Sequence, residues 1–209
     1  MTEIEWRDDG LYWPVSDTAC YEWTQVEIDA CDVIISACKS TRSMISAGAN
    51  VGAYAKQYAK TFETVYAFEP DTTNFKCLAL NTSTIENVLI YQAVLGNHNI
   101  PISLTNENET NCGTFTVNGV GKIPCFKIDQ IGVDDLDLIH LDVEGYEYFV
   151  LQGAVDTIKR CKPVIALEWL EHTTKFSVSS TQILEFLHDL NYAPKGKVGS
   201  DLVFTYQYE

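Results

Sequence analysis

Residues 43–52 read Ser-Met-Ile-Ser-Ala-Gly-Ala-Asn-Val-Gly (SMISAGANVG), and their order decides the fold. The first five form a short apolar run of the kind found in strands covered on both faces. Gly48, Asn50 and Gly52 follow at once. Glycine tolerates positive φ, and Asn is its best substitute there. Apolar residues then recur at Val51, Tyr54, Ala55, Tyr58, Ala59 and Phe62, which is a helical spacing. A helix over 51–62 is expected. Strand, tight turn and helix make the opening unit of a parallel sheet sandwiched between helices.

The same rhythm continues outward. TVYAF at 64–68 reads as the next strand, stopped by Pro70, and Asp71 is a good N-cap for a helix running to about 81. Strands are expected over 87–94, 136–143, 163–169 and 202–208, and helices over 146–160 and 181–190. Between 97 and 127 the rhythm changes. Asn, Thr and Gly become frequent, and ISL, GTFTV and KIPCF have no helices between them. An antiparallel insertion or hairpin at the rim of the sheet is expected. The first forty residues crowd Trp6, Tyr12, Trp13, Tyr21 and Trp23 around Gly10 and Pro14. They read as an irregular aromatic arm leading into a helix over 23–39. The arm either covers an edge of the core or walls a binding cleft. The fold class is α/β, and the length of 209 residues suits one domain.

Composition narrows the partners. The 14 Lys plus Arg against 29 Asp plus Glu leave a formal charge of −15. Such a chain is repelled by a phosphate backbone and by an anionic membrane surface, so neither nucleic acid nor membrane is expected as a partner. The seven Cys form no C-x-x-C pair, and free thiols in a reducing compartment are expected. The opening MTEIEWRDDG lacks the shape of a secretory leader, and no apolar run approaches the ~20 residues of a membrane span. A soluble, cytoplasmic protein is the expectation.

Two clusters carry chemistry. Glu69 ends the second strand, where doubly wound folds place an acid that accepts hydrogen bonds from ribose hydroxyls. Gln92, Ala93 and Val94 end the third strand beside the same crevice. The second cluster, HLDVEGYE over 140–147, brings His140, Asp142, Glu144 and Glu147 to the end of the fourth strand. Strand alternation puts His140 and Asp142 on one face, with Glu144 continuing that side. Ionisable groups beside an apolar strand are candidates for proton transfer. Glu168 ends the next strand and can join them. Carboxylates suit hard cations, but without a fixed ligand spacing no metal is assigned.

Together these stretches resemble the FkbM family of S-adenosylmethionine-dependent methyltransferases, over residues 43–169. The markers are GANVG at 48–52, YAFEP at 66–70, the Asn74 helix, AVLG at 93–96, DVEGYE at 142–147, VLQGA at 150–154 and PVIALE at 163–168. The resemblance implies a seven-stranded Rossmann-like sheet whose last strand is antiparallel. It implies S-adenosylmethionine as cofactor and methyl transfer to a hydroxyl oxygen of a small molecule or glycan. It implies that the turn with Gly48, Asn50 and Gly52 wraps the amino-acid end of the cofactor and that Glu69 holds the ribose. Ser46, Pro70, Gln92, Ala93 and Asp142 complete the implied cofactor site. This chain has Ser46 where the family commonly has an Asp that anchors the cofactor's amino-acid end, and His140 where it often has Lys.

The acceptor's proton needs a base. His140, Asp142 and Glu144 are all candidates, and an imidazole needs the least tuning near neutral pH. Two rival readings remain. One is a non-catalytic binding module, motivated by Ser46. The other is a nicotinamide-dependent oxidoreductase, against which the missing G-x-G-x-x-G counts.

Overall fold

The structure is a computed structural model that describes residues 3–169 and 175–208. The arm is more regular than expected. It opens with a hairpin of β1 (Ile4–Trp6) and β2 (Tyr12–Pro14), paired antiparallel. In place of one helix over 23–39 there are two, α1 (Cys20–Glu27) and α2 (Ala30–Ile35). Between them the chain tightens, and the Cys31 N–H bonds to the carbonyl of Ile28, three residues back. That turn aims Cys31 and Ile34 into the core.

The strand β3 (Ser43–Ala47) is buried at every position. The helix α3 (Ala53–Tyr58) is shorter than the apolar spacing predicts. Asn50 (φ 50°) and Gly52 (φ 91°) are left-handed, so a right-handed helix cannot begin before them. Next come β4 (Thr64–Phe68) and α4 (Thr72–Thr82), with the Asp71 carboxylate accepting from the Thr73 and Asn74 N–H groups as a cap. The strand β5 (Val88–Tyr91) stops earlier than expected, because β6 (Val94–Leu95) leaves the sheet. The insertion contains β7 (Ile102–Asn106) and β8 (Phe115–Val120), an antiparallel hairpin, and then β9 (Cys125–Phe126), which pairs in parallel with β6.

After β10 (Leu136–Leu141) the expected helix over 146–160 is split into α5 (Glu147–Gln152) and α6 (Val155–Cys161). Gly153 sits at the break. A Cβ there would lie 1.9 Å from the Gly96 carbonyl oxygen, so the two backbones touch. The chain closes with β11 (Val164–Glu168), α7 (Ser180–Asp189) behind a Ser179–Gln182 capping box, β12 (Tyr192–Val198) and β13 (Asp201–Tyr206).

The central sheet runs β12-β13-β11-β10-β3-β4-β5. From β11 to β5 all pairs are parallel, and β13 is antiparallel to both neighbours, as the resemblance implies. Alternation sends successive side chains to opposite layers. Met44, Val65, Ala67 and Leu138 pack against α2, α3 and α4. Ile45, Ile139, Leu141 and Ile165 pack against α5, α6 and α7. A third cluster, around Trp13, Val51 and Cys77, docks the arm. Asn81 of α4 ties it down, accepting from Tyr12 N–H at 2.7 Å and donating to the carbonyls of Tyr12 and Val51. Among the described residues no helix is long and apolar enough to cross a membrane.

Candidate functional site at the carboxyl ends of the strands

The turn after β3 is built for close contact. Gly48 has φ 77°, and a Cβ on it would lie 1.7 Å from the Asp142 carbonyl oxygen. Only glycine fits there. The Gly48 and Ala49 N–H groups bond to the Phe68 carbonyl, which fastens the turn to the end of β4. Glu69 completes the fastening. One of its oxygens accepts from Asn50 N–H and the other from Asp71 N–H, each at 2.8 Å. The side chain is 4% exposed, and burial pushes its carboxyl up to about 8 although the two N–H donors oppose the shift.

Two adjoining clefts open at this edge. The narrower has apolar walls that include Phe68, Ala93, Val94, Leu95 and Phe115, with Glu69, Asn74 and Gly48 among its polar positions. Asn74 is 2% exposed and donates to the Cys112 carbonyl, while its Oδ1 has no partner within the protein. The roomier cleft, about 360 Å³, is lined by Trp23, Tyr54, Asp142, Glu144 and Glu168. Asn50, Gly113, Asp142 and Glu144 border both. No Lys or Arg side chain lines either cleft among the described residues.

The acids of the roomier cleft come from three places. Asp142 follows β10, and its N–H bonds to the Ala47 carbonyl. Glu144 (φ 55°) and Gly145 (φ 96°) make two successive left-handed turns into α5. Glu168 ends β11. A carboxylate oxygen from each of these three acids lies within 4.8 Å of the other two. Burial, then Glu168 and Glu144, hold Asp142 well above the usual carboxylate range. Lys175 reaches Glu144 at 3.6 Å.

The residues singled out from the sequence separate into three groups. Gly48, Asn50, Glu69, Pro70, Ala93, Asp142 and Glu144 line the narrower cleft. Ser46, Gly52 and Gln92 line neither cleft. Ser46 is buried within β3, Gly52 starts α3, and Gln92 donates to Thr72 Oγ1 at the surface. His140 and Glu147 face inward. The His140 ring meets Tyr58 Oη at Nδ1 (3.0 Å) and Asp201 Oδ2 at Nε2 (3.1 Å), on the α3 side of the sheet. Glu147 accepts from Val143 and Gly145 N–H, so it shapes the turn that presents Asp142 and Glu144. The aromatics of the arm divide: Trp13 is fully buried, whereas Trp23 is 68% exposed and lines the roomier cleft. Cys20, Cys112 and the β7–β8 hairpin also line this edge, and no local pattern in the sequence marks them.

A cleft lined by three carboxylates, one of them paired with Lys175, suits a neutral or cationic ligand. The orphaned Asn74 oxygen and the side chain of Glu69 offer acceptors to a nucleoside, and the glycine at 48 lets backbone approach closely. These residues fit a cofactor that carries a nucleoside, an ammonium and a sulfonium.

The crystal structure of an FkbM methyltransferase from Methylobacillus flagellatus KT is 19% identical, with a TM-score of 0.53 over 79% of this chain. This chain spans only 44% of that protein. A precorrin-6y C5,15-methyltransferase from Geobacter metallireducens GS-15 is 14% identical and matches over 95% of each chain, with a TM-score of 0.50. A ribosomal protein L11 methylase from Lactobacillus delbrueckii subsp. bulgaricus is 10% identical, with a TM-score of 0.52 over 91% of this chain and 81% of its own. At these identities the likeness shows the fold. No curated protein matches the sequence. The family model for the methyltransferase FkbM domain matches residues 46–194, well over half of the chain. The protein therefore belongs to the FkbM family of methyltransferases.

Proposed function

We propose that this protein transfers a methyl group from S-adenosylmethionine to a hydroxyl of a small-molecule or glycan acceptor. One observation carries the reading. The cleft lined by Glu69 and the cleft lined by Glu168 share Asn50, Gly113, Asp142 and Glu144 as walls. In this reading a nucleoside site and a proton-accepting site meet at those shared residues.

The bound cofactor supplies a methyl group already activated on a sulfonium. The chain supplies place and proton balance. Phe68, Ala93 and Val94 give the narrower cleft flat apolar walls for a base. Glu69 keeps lone pairs for ribose hydroxyls after bonding Asn50 and Asp71, and Asn74 Oδ1 is a further acceptor. Asp142 and Glu144, which border both clefts, balance the cofactor's positive charge. The acid cluster takes the proton of the acceptor hydroxyl. Burial and like-charged neighbours raise the proton affinity of Asp142, which suits it to that task. His140 is not assigned as the base, because both ring nitrogens already have partners away from the clefts. Trp23 and Tyr54 offer flat faces to an acceptor such as a sugar ring. The remaining work is alignment of the acceptor oxygen with the methyl group.

Calorimetric titration with S-adenosylhomocysteine and S-adenosylmethionine, followed by transfer of labelled methyl groups to a panel of sugars and polyols, tests the reading. Absence of binding by either cofactor form sinks it. Binding together with transfer only to nitrogen or carbon acceptors overturns the hydroxyl assignment.

A further inference from the structure

Two thiols meet where the arm, the glycine turn and the insertion converge. Cys20 opens α1 and lines the roomier cleft, and Cys112 lines the narrower one. The two Sγ atoms and a carboxylate oxygen of Asp17 all lie within 4.8 Å of one another. A single oxygen, Asp17 Oδ1, accepts from the backbone N–H of Cys20 at 3.2 Å and of Cys112 at 3.0 Å. That shared acceptor holds two distant parts of the chain side by side. Asn50 spans the sulfurs: its Nδ2 donates to Cys20 Sγ at 3.0 Å, and Cys112 Sγ donates to its Oδ1 at 3.4 Å.

We infer that Cys20 and Cys112 are a hydroperoxide-reactive pair that closes to a disulfide across the wall of the cleft. A disulfide needs the sulfurs about 2.05 Å apart. The remaining gap is of the order that rotation about one Cα–Cβ bond spans.

The two thiols also differ in the way such a pair requires. Contact with the Cys112 thiol, opposed by burial and by the Asp17 carboxylate and aided by bonds from Thr24 and Asn50, holds Cys20 below the ordinary thiol value. The same contact and burial push Cys112 up. Burial, with nearby carboxylates adding to it, pushes Cys31, Cys38 and Cys77 up to about 12. Cys20, the thiol held down, lines the roomier cleft, where an oxidant can reach it.

The chemistry balances with hydrogen peroxide as oxidant. The Cys20 thiolate attacks one peroxide oxygen, the O–O bond breaks, and hydroxide leaves and takes up a proton to become water. Cys20 is left as a sulfenic acid. Cys112 attacks that sulfur, the S–O bond breaks, and the hydroxyl leaves as water with the Cys112 proton. Each sulfur supplies one electron, and the peroxide is reduced to two waters.

The test uses the full chain, reduced and then exposed to a modest excess of hydrogen peroxide. Remaining thiols are alkylated in denaturant and the peptides are weighed. The expected product is a Cys20–Cys112 linked peptide, two hydrogens lighter than its parts and cleaved by dithiothreitol, with Cys31, Cys38 and Cys77 still alkylated. A Cys112→Ser variant should instead trap a sulfenic acid on Cys20, captured by dimedone. Alkylation of all seven thiols after peroxide overturns the inference, as does a linkage between another pair. Zinc that stays with the purified protein and shields both thiols until it is chelated also overturns it, by making the cluster a metal site. None of these readouts depends on methyl transfer.

Discussion

Replacing Glu69 by Gln tests the narrower cleft at its most buried charge. Burial pushes this carboxyl up to about 8, although Asn50 and Asp71 N–H groups both favour its charged form. Ribose hydroxyls donate to that charged form, so in the proposed complex the ionised carboxylate binds. At about pH 7 roughly one molecule in eleven carries it, and nearly all do at about pH 9. Affinity for S-adenosylhomocysteine should then be about tenfold weaker at the lower pH, roughly 1.4 kcal/mol. Glutamine cannot ionise, so the variant should lose this dependence. It also turns an amide N–H toward a backbone N–H and forfeits a charge-assisted bond of ~1.5–3 kcal/mol. The expected loss near pH 9 is therefore ~10–150-fold in Kd, shrinking about tenfold by pH 7. Calorimetric titrations of both proteins across this range measure it, and thermal melts confirm that each is folded. The difference between the two curves removes titration of the ligand itself. A variant that keeps the wild-type slope, or binds as tightly near pH 9, refutes the placement of the ribose at Glu69.

Stability should fall with rising pH in the neutral range. Glu147 is pushed up to about 7 and Glu69 to about 8 by burial, both above the unfolded value near ~4.3, so the folded chain holds protons that the unfolded chain releases. The contribution is complete below about pH 4 and is lost as pH rises through 7 to 8; melting temperature should drop over that window, and less steeply in Glu147→Gln. Gly48→Ala forces a methyl group against the Asp142 carbonyl at positive φ and should cost more than about 3 kcal/mol in urea unfolding. His140→Gln should cost roughly 2–4 kcal/mol, because Tyr58 and Asp201 lose a buried partner, yet leave turnover per folded molecule within about threefold. Asp142→Asn should do the reverse, cutting kcat by ~10²–10⁴ without loss of stability, and a hundredfold loss in folded His140→Gln would make the imidazole the base after all.

Much of this architecture is legible in the sequence because its signals are local. The apolar runs at β3 and β4 end where the observed strands end, and Asp71 caps α4 as its side chain predicts. Parallel strands with helical crossovers place Glu69, Asp142, Glu144 and Glu168 at one edge. The misreadings arise where a distant segment intervenes. Gly153 looks like a tolerated helical glycine until the Gly96 carbonyl is pressed against it. Strand alternation puts His140 on the face of Asp142, whereas Tyr58 from α3 and Asp201 from β13 hold its ring on the α3 side of the sheet. Glu147 shares a motif with Asp142, but one further turn of backbone directs it inward to Val143 and Gly145. The approach of Cys20 to Cys112 depends on Asp17, a residue with no local mark of importance.

That last contact has a consequence for engineering. Because one oxygen of Asp17 is bonded to both α1 and the loop before β8, and the Thr18 and Ala19 N–H groups bond to Thr110, the two walls of the roomier cleft are a single mechanical part. A chimera that imports only the hairpin of a relative, hoping to import its acceptor preference, leaves a buried carboxylate facing the wrong backbone. Transplanting residues 1–40 together with 97–127 keeps the joint intact, so acceptor choice in this protein should be exchangeable only as that matched pair.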